Sequence, residues 1–206
     1  MASELARRKL ARAALALNAR AGFARLLPAL VLMTDENRLA DPLAAARALP
    51  KGAAIVVRHS KDRPRAELAH ALAEIARAHE LVLLVAGDAK LADEVHADGL
   101  HLPEARLTEV ADWRARRPSW LITVAAHSAD ALRHAAQAGA HAAFLAPVFP
   151  TKSHPGRAAL GPVRFIAMAR GAALPVYALG GITARNVARL NNARVAGIAA
   201  VEALIA

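Results

Sequence analysis

Short apolar runs alternate with amphipathic segments along most of the chain, from Ala29 to the C-terminus. Eight of these runs predict strands, at residues 29–33, 53–57, 81–85, 99–102, 121–126, 141–146, 174–179 and 195–201. The runs are almost continuously apolar and do not alternate with polar residues. This pattern is typical of a parallel sheet that is buried on both faces.

The segments between the runs predict helices, at residues 41–49, 64–80, 88–95, 107–117, 128–139, 161–171 and 183–193, with a short helix at 202–206. Ser128 is expected to begin one of them and Gly139 to end it, and Thr183 is expected to cap another. Eight strand–helix units predict an α/β fold, the (β/α)₈ TIM barrel. A doubly wound open sheet is the alternative, but no run is followed by the GxGxxG pattern of its dinucleotide-binding form.

The N-terminal residues differ from the rest of the chain. Residues 1–27 form a basic, alanine-rich helical pattern, which we interpret as an N-terminal helical extension of a barrel domain at residues 28–206. The segment lacks the serine enrichment of a transit peptide, and it is too charged for a secretory signal. We expect an extra helix that packs on the barrel, while binding to a membrane surface or a partner is the alternative.

The amino-acid composition restricts the classes of function that this chain could have. Apolar residues make up 56% of the chain, yet aromatic residues make up only 3%, so alanine supplies much of the core. The apolar runs are far shorter than the roughly 18 residues of a membrane span, and we expect no membrane partner. The absence of cysteine excludes disulfides and thiol chemistry, and it favours a cytoplasmic location.

The formal net charge of +10 indicates either a solvated, arginine-rich surface or an anionic ligand. Nucleic-acid interfaces usually cluster their cations and supply aromatic rings for stacking, and this chain is poor in such rings. We therefore expect no nucleic acid and predict a phosphorylated small molecule as the ligand. The sequence leaves open whether the protein forms a homo-oligomer.

In a (β/α)₈ barrel the site lies at the carboxyl ends of the strands, so the strand predictions yield candidate site residues. The candidates at these ends are Thr34, Asp35, Arg58, His59, Gly87, Asp88, His101, Glu104, His127, Ser128, the 147–160 loop, Gly180, Gly181, Val201 and Glu202. Within the long loop we single out Thr151 and His154 as ligand-binding candidates. His101 alternates with two leucines, so it is expected to face the barrel interior.

The segment LGGIT after the seventh predicted strand indicates a phosphate site. Gly180 and Gly181 allow backbone N–H groups to turn toward a ligand, and barrels often bind phosphate after strands seven and eight. The eighth strand ends at Val201 and Glu202, whose backbone is expected to complete the site. Because a carboxylate would repel phosphate, we expect the side chain of Glu202 to point away.

Three motifs occur in a characteristic order: HS after strand five, PVFPTKSHPG after strand six, and LGGI after strand seven. This arrangement resembles the family of thiamine-phosphate synthase and thiazole tautomerase. The resemblance implies a barrel enzyme of thiamine biosynthesis that binds a thiazole phosphate.

The synthase of this family joins an aminopyrimidine diphosphate to a thiazole phosphate, and the reaction needs Mg²⁺ held by carboxylates. By the resemblance, these carboxylates fall on Gly87 and Arg106 in this chain, with Asp88 and Glu104 as the nearby alternatives. Of the diphosphate-binding pattern only Arg58 matches, and the lysine of the long loop falls on His154. We therefore expect no cofactor, with Mg²⁺ only if the protein is a true synthase.

The tautomerase isomerises a thiazole carboxylate phosphate and needs a proton shuttle but no metal. Its His-Ser motif matches His127 and Ser128, and histidine as a residue type exchanges protons near neutral pH. The leading prediction is therefore tautomerase-like proton transfer with His127 as the catalytic residue. The alternatives are a synthase with an altered Mg²⁺ site and a thiazole- or thiamine-phosphate-binding protein without catalysis.

Overall fold

The computed structural model describes residues 4–24, 26–59, 62–151 and 158–204. Eight parallel strands form a closed barrel in which each strand pairs with the next and β8 pairs with β1. The strands are β1 Leu30–Met33, β2 Ala54–Val57, β3 Val82–Ala86, β4 Gly99–Leu102, β5 Leu121–Ala126, β6 Ala142–Leu145, β7 Val176–Leu179 and β8 Gly197–Ala200. The predicted (β/α)₈ barrel is confirmed, and the open-sheet alternative is wrong because the barrel closes.

Helices follow most of the strands on the outside of the barrel. The α-helices are α1 Glu4–Ala21, α2 Pro42–Arg47, α3 Asp62–His79, α4 Ala89–Glu94, α5 Val110–Arg116, α6 Ala129–Gln137 and α7 Gly161–Gly171. Three 3₁₀ helices complete the described part of the chain, at Glu104–Glu109, Val187–Leu190 and Glu202–Leu204. None of the helices in the described ranges combines the length and the apolar character that a membrane crossing requires.

An aromatic layer fills the interior of the barrel. Strand register places His101 opposite Thr123, and Phe144 opposite Tyr177, on one face of the sheet. The rings of Phe144 and Tyr177 stack with centroids 4.7 Å apart, and His101 meets Phe144 edge-on at 5.0 Å. The Tyr177 hydroxyl donates to the Pro28 carbonyl, 2.7 Å away and just before β1, so the layer extends to the amino ends of the strands.

Helix α1 covers the region of the barrel where an eighth α-helix would otherwise lie. Its buried residues recur at helical spacing, and it packs beside β8 and β1. Asn18 is buried, and its amide donates to the carbonyl oxygens of Ala196 and Leu27. The predicted extra N-terminal helix is confirmed, and it covers strands that the short 3₁₀ helix Glu202–Leu204 leaves open.

The helix predicted at residues 183–193 is wrong, as is the expectation that Thr183 caps an α-helix. The Asn186 side chain accepts from the Thr183 amide at 2.8 Å and donates to the Gly181 carbonyl at 2.8 Å. These local bonds replace the backbone pattern of an α-helix, because asparagine side chains compete for the same groups. Only the 3₁₀ helix Val187–Leu190 forms in this segment.

Candidate functional site

A cavity of ≈ 280 Å³ opens at the carboxyl ends of the strands, mainly beside β1, β2, β7 and β8. Its walls are formed by Met33, Arg38, Arg58, Ala146, Pro147, Thr151, Leu179, Gly180, Gly181, Ile182, Thr183, Ala199, Ala200, Val201, Glu202 and Ala203. Most of these side chains are small or apolar, and the charged ones are two arginines and Glu202. This composition suits a small ring with an anionic substituent.

The turn after β7 is built from two glycines with positive φ, 97° at Gly180 and 64° at Gly181. A Cβ at Gly180 would lie 2.9 Å from the Cα and Cβ atoms of Pro147, and a Cβ at Gly181 would collide with the carbonyl oxygens of Phe149 and Pro150. Backbone hydrogen bonds from Val148 and Phe149 to the β7 end hold the two segments together. The turn therefore needs glycine both for its dihedrals and for its close contact with the loop after β6.

The end of β8, the strand next to β7, also lines the cavity. Val201 is buried, Glu202 is exposed, and the 3₁₀ helix Glu202–Leu204 begins there. Among the described residues, no backbone or side-chain group accepts a hydrogen bond from the amide N–H groups of Gly181, Ile182 and Glu202. Backbone donors that line a cavity in this way can bind an anion.

Two arginines line the cavity beside β1 and β2, and both pair with Asp35. Arg38 Nη2 donates to Asp35 Oδ2 at 2.8 Å, and Arg58 Nη2 donates to the same oxygen at 2.6 Å. Thr34 fixes the backbone of Arg58, because its hydroxyl accepts from the Arg58 amide at 2.8 Å and donates to the Arg58 carbonyl at 3.0 Å. Although burial raises the pKa of Asp35, the hydrogen bond and charge of Arg38 and the charge of Arg58 lower it below its ordinary value.

His127 and Ser128 follow β5 and do not line the cavity, although His127 contacts its wall. The Nδ1 atom of His127 lies 2.9 Å from the carbonyl oxygen of Ala146, a cavity residue. Because a carbonyl only accepts, Nδ1 carries a proton, and in the neutral ring Nε2 holds the lone pair. Ser128 is the N-cap of α6, and its hydroxyl accepts from the Ala131 amide at 3.0 Å.

His101 lies in the barrel interior, where its Nδ1 is 3.0 Å from the hydroxyl of Thr123. Its side chain is almost completely buried, as expected from its alternation with leucines. Burial, and then the charge of Arg58, lower the pKa of His101 to about 4. The ring is therefore neutral at physiological pH.

The positions at which the resemblance implies metal-binding carboxylates do not fit a divalent cation. Arg106 Nη1 donates to the Gly87 carbonyl at 2.6 Å, and its Nε and Nη2 form a two-bond pair with Glu109 at 2.6 and 2.7 Å. The hydrogen bond with Glu109 raises the pKa of Arg106, so a permanent positive charge stands at this position.

The alternative metal ligands are not brought together either. Asp88 is the N-cap of α4, accepting from the Leu91 amide at 3.0 Å, and it also pairs with Arg65 at 3.0 Å. Glu104 lines a separate groove that also contains Ser128. Across the described ranges, no three histidine, aspartate or glutamate side chains form a group that could hold a metal.

The cavity brings together six of the predicted site residues: Arg58, Thr151, Gly180, Gly181, Val201 and Glu202. His101, His127 and Ser128 lie outside its walls, and His154 lies outside the described residues. Sequence reasoning missed Arg38, although Asp35, three residues earlier, was a candidate at a strand end. The i,i+3 spacing to that carboxylate was the available signal. The ligand roles of all these residues remain predictions.

Comparison with known proteins adds an independent line of evidence. The family model described as "Thiamine monophosphate synthase" matches residues 30–204. A thiamine-phosphate synthase from Chlorobium luteolum is 32% identical over 182 residues, covering 86% of this chain and 85% of that protein. A thiamine-phosphate synthase from Bacillus mycoides is 29% identical over 196 residues, covering 90% of this chain and 88% of that protein.

A solved structure has the same fold. The thiamine phosphate pyrophosphorylase from Pyrococcus furiosus superposes with a TM-score of 0.68 at 22% identity, covering 84% of each chain. At this level of identity the likeness shows the barrel architecture alone.

Proposed function

Because the chain belongs to the thiamine monophosphate synthase family, we propose that its cavity binds a phosphorylated thiazole and that His127 moves a proton on this ligand without a metal. The observation that carries the proposal is the contact of Arg106 with the Gly87 carbonyl. By the resemblance, Gly87 and Arg106 occupy the two positions where the synthase would need carboxylates for Mg²⁺. In this chain the first has no side chain and the second is a cation.

The phosphate is expected to bind at the turn after β7 and the end of β8. Gly180 and Gly181 present backbone, without side chains, to the cavity, and no group in the described part of the chain accepts from the amides of Gly181 and Glu202. Charge-assisted bonds from such donors are among the stronger hydrogen bonds in proteins. The apolar wall from Met33, Leu179 and Ile182 suits the thiazole ring.

We propose that His127 acts as the base, from a position beside the cavity wall at Ala146. Its Nδ1–H donates to the Ala146 carbonyl, which fixes the ring and leaves the lone pair on Nε2. An isomerisation moves one proton from one ligand atom to another, with no other change in atoms or charge. One histidine that receives the proton and then returns it is sufficient for such a step.

No step of this proposal uses a metal. Arg106 offers no oxygen ligand to a divalent cation, and Asp88 is engaged as a helix cap and as the partner of Arg65. With these residues the site around β3 and β4 lacks the oxygen ligands that Mg²⁺ prefers.

The test is isomerisation of thiazole carboxylate phosphate in D₂O, followed by ¹H NMR, in the wild-type protein and in His127→Ala. Loss of a general base is expected to slow the reaction at least about 100-fold. Binding of thiazole phosphate should be retained. His134→Ala is the matched control and should react at the wild-type rate, because His134 is an exposed histidine on α6, the helix that follows His127.

Unchanged isomerisation in His127→Ala would contradict the role of His127. Binding of thiazole phosphate without any turnover by the wild-type protein would instead support a binding protein without catalysis. Absence of binding would contradict the phosphate site itself.

A second candidate is the synthase reaction, which is favoured by the names of the relatives from Chlorobium luteolum and Bacillus mycoides. In this case Asp88 or Glu104 would have to replace the missing metal ligands. Release of diphosphate from aminopyrimidine diphosphate and thiazole phosphate, dependent on Mg²⁺, would support the synthase. Its absence at high enzyme concentration would remove this candidate.

A further inference from the structure

We propose that Arg38 is a ligand-binding residue that, together with Arg58, holds a second anionic group and makes the site prefer a thiazole phosphate that carries a carboxylate. The proposal rests on the proposed function, because it requires the phosphate to occupy the backbone site after β7 and β8.

The two arginines reach the cavity from different segments, the loop after β1 and the end of β2. Both donate to one oxygen of Asp35, Oδ2, at 2.8 Å from Arg38 and 2.6 Å from Arg58. The other oxygen, Oδ1, accepts from the Asn37 amide at 3.1 Å. Asp35 therefore orients both guanidinium groups while using one of the five N–H donors of each.

The local charge favours an anion at this position. Two guanidinium groups and one carboxylate leave a net charge of +1 at this wall of the cavity. The side chains of Asp35 and Arg38 are only 14% and 18% exposed, whereas that of Arg58 is 42% exposed, so solvent screens the charge of Arg38 less than that of Arg58. A carboxylate of the ligand would neutralise the charge and accept from the unused donors.

The size of the cavity allows one small ligand to meet both anion sites. The volume of ≈ 280 Å³ lies near the lower end for small-molecule sites, and Arg38, Arg58, Gly180 and Gly181 all belong to the same walls. A thiazole with a phosphate at one end and a carboxylate at the other matches this arrangement. A ligand that carries only the phosphate would leave Arg38 and Arg58 paired with Asp35 alone.

The test measures the dissociation constants of two ligands, thiazole phosphate and thiazole carboxylate phosphate, by calorimetry. We expect the wild-type protein to prefer the carboxylated ligand. In Arg38→Gln this preference should fall on the order of tenfold, because a charged hydrogen bond is lost. Affinity for thiazole phosphate should stay within about twofold. Arg38→Lys, which keeps the charge but not the planar fork, should give an intermediate preference.

The matched control is Arg133→Gln. Arg133 pairs with Asp130 at the same i,i+3 spacing and at 2.8 Å, but it lies on the exposed surface of α6. This variant should keep the wild-type preference, and thermal unfolding of each variant reports whether it is folded.

The outcomes separate the two proposals. If the wild-type protein binds thiazole phosphate and Arg38→Gln keeps the full preference for the carboxylated ligand, the role of Arg38 is wrong and the proposed phosphate site stands. The same conclusion follows if Arg38→Gln weakens both ligands equally. If the wild-type protein binds neither ligand, the proposed function fails, and the inference fails with it.

Discussion

The loops after β7 and β8 differ from the loops after β3 and β4 in what they offer to a ligand. After β7 and β8 the cavity is lined by backbone, with Gly180 and Gly181 in contact with the segment that follows β6. After β3 and β4 the charged side chains bind one another, as Arg106 does with Glu109 and with the Gly87 carbonyl.

This difference indicates where a ligand is expected to bind. A backbone site depends on glycine and on the path of the chain, so substitutions elsewhere leave it intact. A metal site depends on a few carboxylates, and an arginine placed among them forms an ion pair with a carboxylate instead. We therefore expect a ligand to bind at the loops after β7 and β8, and we expect the charged side chains after β3 and β4 to have a structural role.

The largest expected effect comes from Gly181→Ala, which disrupts the backbone turn after β7. The new Cβ would lie 2.8 Å from the Phe149 carbonyl oxygen and would collide with that of Pro150. The turn must shift, and loss of its donors should weaken thiazole phosphate binding on the order of 100-fold, measured by calorimetry.

The matched control for this change is Gly52→Ala. Gly52 has a φ of 77°, similar to that of Gly181, and a Cβ there meets no atom within 4 Å. It should lose about 1–2 kcal/mol of folding stability through backbone strain alone and keep its affinity. Equal affinities in the two variants would contradict a backbone phosphate site.

An effect of comparable size, on stability and not on affinity, is expected from pH through His101, which is buried in the barrel interior. Burial and the charge of Arg58 lower its pKa in the folded protein from 6.5 to about 4. The folded state resists protonation, so stability is fully present above about pH 6.5 and is lost as the pH falls toward about 4. The loss should reach roughly 3 kcal/mol in urea unfolding experiments.

His101→Asn should remove much of this pH dependence, because asparagine does not titrate, even if its stability at neutral pH is lower. His70→Asn, an exposed position on α3, should keep the wild-type slope. A wild-type slope in His101→Asn would show that other groups cause the loss at acid pH.

The smallest effect is expected from Ser128→Ala, which tests whether this residue binds the ligand or only caps α6. Loss of the bond to the Ala131 amide should cost about 1 kcal/mol of stability. Thiazole phosphate affinity should stay within about twofold of the wild-type value. Ser128→Asp should restore stability, because aspartate is also a good N-cap. A tenfold loss of affinity in Ser128→Ala would instead support a ligand-binding role for Ser128.

The features that could be predicted from the sequence depend on local chemistry. Continuous apolar runs predicted the eight strands, because a parallel barrel buries both faces of its sheet. Gly180 and Gly181 were found because only glycine suits such a turn, and Arg58 because it follows a strand directly. The strands and the glycine turn were predicted from residue type, and Arg58 from its place directly after a predicted strand.

The features that were missed depend on contacts across the fold. The bond from Arg106 to the Gly87 carbonyl joins residues 19 positions apart, and the contact of Asp35 with Arg58, beside its local pair with Arg38, joins the loops after β1 and β2. The helix predicted after Thr183 failed because the Asn186 side chain bonds to the Gly181 carbonyl and the Thr183 amide. Propensity along the chain does not report which of these competing partners is chosen.

Two thermal unfolding experiments, one with thiazole phosphate and one with diphosphate and Mg²⁺, test most directly the contrast between the loops after β7 and β8 and the loops after β3 and β4. Saturating thiazole phosphate should raise the unfolding temperature, by about 2–4 °C for each kcal/mol of binding free energy in a domain of this size. Diphosphate with Mg²⁺ should leave it unchanged. Stabilisation by diphosphate and Mg²⁺, with no response to thiazole phosphate, would contradict the account.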